Sequence, residues 1–267
     1  MTKLILHFDI NGTITPFDTT EPGTKLENAN VIIAKNVYGK VNNNKWILND
    51  NIYDENNSIS YYNYLKQITK DYKTKSFIFT SPSEPGASLI HLIPLLIKSM
   101  DEFLFESFLR ALITFHNAQI ILRTFGLDAD EVINYLKTNK STSHIFNAII
   151  QGTFNNDDET PTLLLETSEI IIGMDKINDL FAKSNYHMAL KENYNYWNYN
   201  KRNKLAGKQL LGDSRYVQIF FDDNDCVNVI NTLNVYNIKV NTLHVMLNKN
   251  FYIDQINNIL KLHTNLI

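Results

Sequence analysis

Cysteine is almost missing from this chain: Cys226 is the one thiol in 267 residues. A single cysteine excludes an intrachain disulfide and any metal site built from several thiolates, and it points to a reducing, cytoplasmic setting. Long apolar runs are missing too. The greasiest stretch, 87–115, is broken by His91, Pro94, Lys98, Asp101, Glu102, Glu106 and Arg110, short of the ~18 uninterrupted apolar residues a membrane span needs. It reads as buried helices. The N-terminal apolar run is only five residues, 4–8, too little for a secretory signal. There is no basic excess either. Lys and Arg total 25 against 28 Asp and Glu, a formal charge of −3 with a pI near 6.2. A nucleic-acid partner is therefore not expected, because its footprint is clustered positive charge. The nearest approach is the local group Lys201, Arg202, Lys204 and Lys208.

What is present suffices for a packed core: 44% hydrophobic and 12% aromatic residues, despite an asparagine content of roughly one residue in seven. The length allows one large domain or a core with an insertion, and the second is favoured. The run 3–8 ends in Asp-Ile-Asn-Gly-Thr and reads as a buried strand. A hairpin is expected over 31–49 around Asn42 to Asn44, a helix over 61–71 and a strand over 76–80. Helices are expected over 87–117, a strand over 118–123 and a helix from Asp128, whose first turn is acidic. Strands with a polar insert at 155–160 follow, then a core strand over 186–190 and another over 217–221. A helix near 227–233, a strand over 240–247 and a closing helix over 252–263 complete the pattern. No internal repeat or linker is evident. Strands alternating with helices predict an α/β fold with a mostly parallel sheet.

In such sheets ligands bind beyond the carboxyl ends of the strands. Three polar exits follow apolar runs: Asp9-Ile10-Asn11-Gly12-Thr13, Thr124, and Asp222-Asp223. Carboxylates and a hydroxyl at neighbouring exits suit a divalent cation held against a phosphate, and hard oxygen donors suit magnesium. Thr124, just before a helix start, is placed to offer its hydroxyl and nearby N–H groups to phosphate. A lysine would complete the charge balance.

LILHFDINGTIT, IILRTFG and VQIFFDDND, in this order and each on an apolar strand, resemble the motifs of the haloacid dehalogenase (HAD)-like hydrolase superfamily. That resemblance implies a Rossmannoid core, 1–19 and 118–267, and an inserted, mainly helical cap at 20–117. It implies a magnesium-dependent phosphohydrolase that acts on a small phosphorylated substrate through an aspartyl phosphate. Asp9 would be the nucleophile and a metal ligand, joined at the metal by the main-chain carbonyl of Asn11 and the side chain of Asp222, with Asp223 or Asp225 behind them. Thr124 would hold the phosphate. The remaining lysine is Lys208, in Ala-Gly-Lys, or Lys191, with Lys201 and Lys204 behind. The departure is Asn11, which stands where most family phosphatases carry an Asp that protonates the leaving group and activates water. An amide does neither, so the resemblance implies slow turnover, dependence on good leaving groups or a persistent phospho-aspartate, unless another group or the substrate supplies the proton. The alternative is a catalytically degenerate protein that binds a phosphorylated ligand or protein partner without turnover.

Plainer readings compete at each position. Asn11-Gly12 is a strong hairpin signal, acidic clusters commonly cap helices, and Thr80-Ser81 is a rival to Thr124. Cys226 reads as a small buried side chain. The seven histidines have no ligand spacing, and Tyr194, Tyr196, Trp197 and Tyr199 read as packing before substrate stacking. The conjunction of three ordered motifs outweighs each taken singly.

Overall fold

In the computed structural model of the chain, residues 3–16, 23–156 and 160–264 are described. Along it run β1 (Lys3–Phe8), α1 (Lys25–Asn36), β2 (Tyr38–Asn42), β3 (Lys45–Leu48), β4 (Ile59–Ser60), α2 (Tyr61–Ile68) and α3 (Tyr72–Ser76). A 3-10 turn (Ala87–Leu92), α4 (Ile93–Ser99), α5 (Glu106–Thr114), β5 (Gln119–Thr124), α6 (Ala129–Thr138), β6 (Ile149–Asn155), β7 (Thr162–Leu165) and β8 (Ile170–Ile172) follow. Then come α7 (Met174–Lys183), β9 (His187–Glu192), α8 (Tyr194–Tyr199), β10 (Lys208–Leu211), β11 (Tyr216–Asp222), β12 (Val227–Asn231), β13 (Val235–Lys239), α9 (Thr242–Leu247) and α10 (Phe251–Thr264). No helix among the described residues is long and apolar enough to cross a membrane.

The chain forms two compact units, Met1–Thr15 with Ser107–Val240 and Asn250–Ile267, and Pro16–Glu106 with Asn241–Lys249. The expected first boundary, at 19/20, lies outside the described residues. The second falls before Ser107 rather than at 117/118, and 241–249 belongs to the second unit.

The first unit is α/β, its central sheet ordered β13-β11-β1-β5-β9-β6-β7-β8 and flanked by helices. Pairing is parallel from β13 to β6, and β7 and β8 extend it antiparallel. β5 and β11 are buried at every position, which is why their sequences are nearly continuous apolar runs: strands covered on both faces have no solvent side to alternate with. α6 and α7 meet the sheet as amphipathic helices, burying Val132, Ile133 and Leu136, and Ile177 and Phe181. β1 lies between β5 and β11, both later in the chain. The strand order therefore reverses at β1, and in sheets of this kind ligands bind beyond the carboxyl ends of the strands at such a switch point.

The second unit is mixed. Thr24 and Glu27 close a capping box at the start of α1. The hairpin is shorter than expected, because 31–36 is helical. It pairs β2 with β3 around Asn43 and Asn44, both at positive φ (48° and 60°), which asparagine tolerates better than most residues. β4 adds a third antiparallel strand, so helices share this unit with a sheet. Its core gathers Ile33, Val37, Trp46, Tyr61, Phe79 and Leu96.

Three further expectations are corrected. The segment 76–80 is not a strand; it finishes α3 and turns, with Phe79 packed on Trp46 and Tyr61. The region 227–233 is not a helix: β12 pairs in parallel with β10. Its Val-Asn-Val alternation has the two-residue period of a strand. The last sheet strand is β13, not 240–247, because the Asn241 side chain accepts the His244 N–H at 3.0 Å and so starts α9. Residues 157–159 of the polar insert lie outside the described residues.

Candidate functional site

Asp9 follows β1 and stays tied to the sheet, its N–H donating to the Phe221 carbonyl at 2.9 Å. Asp222 is the last residue of β11 and Asp223 comes next. Parallel pairing of β1 with β11, Phe8 opposite Phe221, thus brings residues more than 200 positions apart to one place. Carboxylate oxygens of Asp9, Asp222 and Asp223 lie within 4.8 Å of one another. Lys208, 1% exposed, donates from Nζ to Asp9 Oδ1, and to Asp222 Oδ2 at 2.7 Å.

The loop after Asp9 supports this cluster. Thr13 Oγ1 accepts the Asp223 N–H at 3.1 Å, and the Thr13 carbonyl accepts the buried Tyr252 hydroxyl. Gly12 has φ +75°, a conformation glycine adopts without the steric cost a Cβ carries. On the other side, Asp222 Oδ1 accepts the Asn224 N–H at 2.8 Å and Asp222 Oδ2 accepts the Cys226 thiol at 3.2 Å. Burial pushes that thiol up, which favours the protonated donor over a thiolate.

Three carboxylates face one ammonium. Burial raises the Asp9 carboxyl to about 7, with Lys208 pulling it down and Asp222 pushing it up. Burial, then the charges of Asp9 and Asp222, also raise Asp223 well above the usual carboxylate range. Burial alone would lower Lys208, but Asp222 and Asp9 outweigh it and hold the ammonium above its ordinary value. The cluster is short of positive charge, and its donors are hard oxygens, so these residues fit a divalent cation.

Folded Asp9 binds its proton more tightly than unfolded Asp9, whose reference value is 3.8. The metal-free protein is therefore expected to lose stability as pH rises from about 4 to about 7, at up to ~1.4 kcal/mol per pH unit for this group. Urea unfolding across that range checks the slope; a flat or rising profile contributed by this site would contradict the charge deficit. The Lys208 contribution, present below its unfolded value of 10.5, is lost only in strong alkali.

Thr124 ends β5, the other neighbour of β1, and its Oγ1 accepts the Gly126 N–H at 2.9 Å. A Cβ on Gly126 would stand 2.8 Å from Asp128 Oδ2, 3.3 Å from Thr124 Oγ1 and 3.4 Å from Asn11 Nδ2. Three polar groups therefore converge over this glycine. Asn11 Nδ2 donates to Asp128 Oδ2 at 2.8 Å and Asn11 Oδ1 accepts from Thr15 Oγ1 at 3.3 Å, so the amide is held at both ends.

Of the expected site residues, Asp9, Asp222, Asp223 and Lys208 come together, with Asn11 on the loop after β1 and Thr124 at the end of β5. Lys208 is therefore the lysine at the carboxylates, and not part of an exposed basic group. Lys191 lies elsewhere, opposite Thr124 and Thr153 in the sheet, and Lys201, Lys204 and Asp225 are exposed. Thr80 gives its hydroxyl and N–H to Asn30 within the second unit. Trp197 stacks on Phe125 at 4.5 Å, which is packing beside the site. In the sequence Asp128 and Tyr252 stand only as helix starts, and Thr13 only as the end of the first strand-exit motif; none carries a signal for its contact here.

No protein-family model, curated protein or solved structure matches the chain.

Proposed function

We propose that this chain is a magnesium-dependent phosphohydrolase of the HAD-like type, acting through phosphorylated Asp9 on a small phosphorylated substrate in a reducing, cytoplasmic setting. The observation that carries the reading is the buried Lys208 ammonium bonded to both Asp9 and Asp222, with Asp223 completing the carboxylate cluster. Magnesium held by Asp9, Asp222 and Asp223 would supply the charge that lets a carboxylate approach a phosphate dianion.

An Asp9 carboxylate oxygen forms the new bond to phosphorus as the ester P–O bond breaks, and the leaving oxygen takes its proton from water, since the Asn11 amide has none to give. Lys208 draws the Asp9 carboxyl toward its ionised form and orients it, and Thr124 with the loop N–H groups binds the transferring phosphoryl oxygens. Water then hydrolyses the acyl phosphate, returning Asp9 and phosphate.

Asn11 supports a second reading, a degenerate protein that captures a phosphorylated ligand without turnover. Its amide carries no transferable proton and is bound to Asp128 and Thr15. The Asn11→Asp variant tests both. Its new carboxyl would lie beside that of Asp128, and two carboxyls in contact share a proton, raising one pKa into the range of a general acid. With magnesium and a panel of phosphate esters, turnover is expected to rise by about 10²-fold in Asn11→Asp. Measurable wild-type turnover that rises supports the enzyme. A wild type without turnover beside an active Asn11→Asp supports the degenerate reading. Failure of both proteins to bind magnesium or a phosphoryl mimic such as beryllium fluoride sinks the site.

A further inference from the structure

One strand beyond Thr124 the first unit has a cavity of about 300 Å³, lined by Phe125, Thr153, Asn155, Lys191, Tyr194 and Asn195 among others. It opens at the carboxyl ends of β5, β9 and β6, the edge of the sheet at which Asp9 sits. Register places Thr124, Lys191 and Thr153 in one row across these three strands, and paired residues of adjacent strands project to the same face, ~4.8 Å apart. Phe125 joins the two places: it follows Thr124, lines the cavity and has its ring 5.2 Å from Lys208 Nζ.

The lining has a definite chemistry. Lys191 is exposed, and no carboxylate pairs with it among the described residues. Around it stand a threonine hydroxyl and asparagine amides, with aromatic surface from Phe125 and Tyr194; the carboxylate in the lining, Glu192, is paired with the buried Arg123. Since Lys208 already serves the carboxylates, Lys191 is available for a ligand.

We propose that this cavity is the subsite for the non-reacting end of the substrate, and that Lys191 selects phosphate monoesters carrying a second anionic group a few bonds from the phosphorus. The proposal rests on the phosphohydrolase reading for the position of the phosphate. Hydroxyl-bearing carbons between the two anions would meet Thr153 and Asn155.

The test compares two esters of one carbon frame, 3-phosphoglycerate and glycerol 3-phosphate, which differ by a carboxylate in place of a hydroxymethyl group. Binding is measured by calorimetry with magnesium on the Asp9→Asn variant, so that no ester is consumed. In that background, 3-phosphoglycerate is expected to bind about tenfold more tightly, the yield of one charge-assisted hydrogen bond. Adding Lys191→Gln is expected to erase that preference while leaving glycerol 3-phosphate affinity within about twofold. Adding Lys137→Gln, an exposed charge on α6, is expected to preserve it, separating a local contact from net charge. No preference, a preference that Lys191→Gln leaves intact, or binding of neither ester overturns the proposal. Absence of turnover in the wild type, with the Lys191-dependent preference retained, would overturn the phosphohydrolase reading alone.

Discussion

Replacing Asp9 with Asn is expected to lower phosphate-ester turnover by a factor on the order of 10⁴ or more while leaving the metal-free protein as stable as the wild type or more so. The first effect follows from chemistry: an amide oxygen is too weak a nucleophile to form the acyl phosphate. The second follows from the charge balance. Asn fills the same volume and its carbonyl can still accept from Lys208. It also removes one of three crowded carboxylates whose pKa values burial and mutual repulsion raise. Activity and stability would thus move in opposite directions, which a merely structural aspartate would not produce. Ester hydrolysis and urea unfolding of the same preparation check it. Retained turnover would remove Asp9 from the reaction, and loss of several kcal/mol would mean that the carboxylate serves the fold.

Glu192→Ala is expected to cost about 3–5 kcal/mol of folding stability. Arg123 Nε donates to Glu192 Oε1 at 2.5 Å, both side chains being 1% exposed. The guanidinium lies 5.0 Å from the Phe154 ring centroid and 5.5 Å from that of Phe220, and donates to the Gln209 carbonyl at 2.8 Å. Alanine leaves this cation buried without a counter-charge, and that desolvation is what the variant reads. The double change Arg123→Met with Glu192→Leu is expected to recover most of the loss, because removing both charges removes the need for pairing. Denaturant midpoints at constant m-value decide it. A single-variant cost below about 1 kcal/mol would mean that water reaches the pair.

Much of the core sheet was legible because its strands are buried on both faces. The runs ending at Phe8, Arg123 and Phe221 could not be exposed without cost, and the polar residues after them mark where each strand leaves the sheet. Boundaries failed where local patterns compete. Val227 to Asn231 alternates like a strand but follows an acidic cluster that reads as a helix start, and its pairing with β10 decided the matter. The segment after Val240 looked extended until the Asn241 side chain capped a helix. Asn11-Gly12, a hairpin signal in isolation, does not fold β1 back on itself. Parallel partners on both sides of β1 take its backbone groups.

Asp9 shows the division most clearly. Sequence alone determined its place at a strand exit, the acidic pair expected beside it and the presence of an amide two residues on, since these depend on local order and burial period. Which lysine meets Asp9, and that Asp128 holds Asn11, only the tertiary structure decided. Lys208 lies 199 positions from Asp9 on a strand outside the main sheet, and Asp128 lies 117 from Asn11. Such contacts depend on how strands pair and helices return, and a linear pattern carries no signal for them.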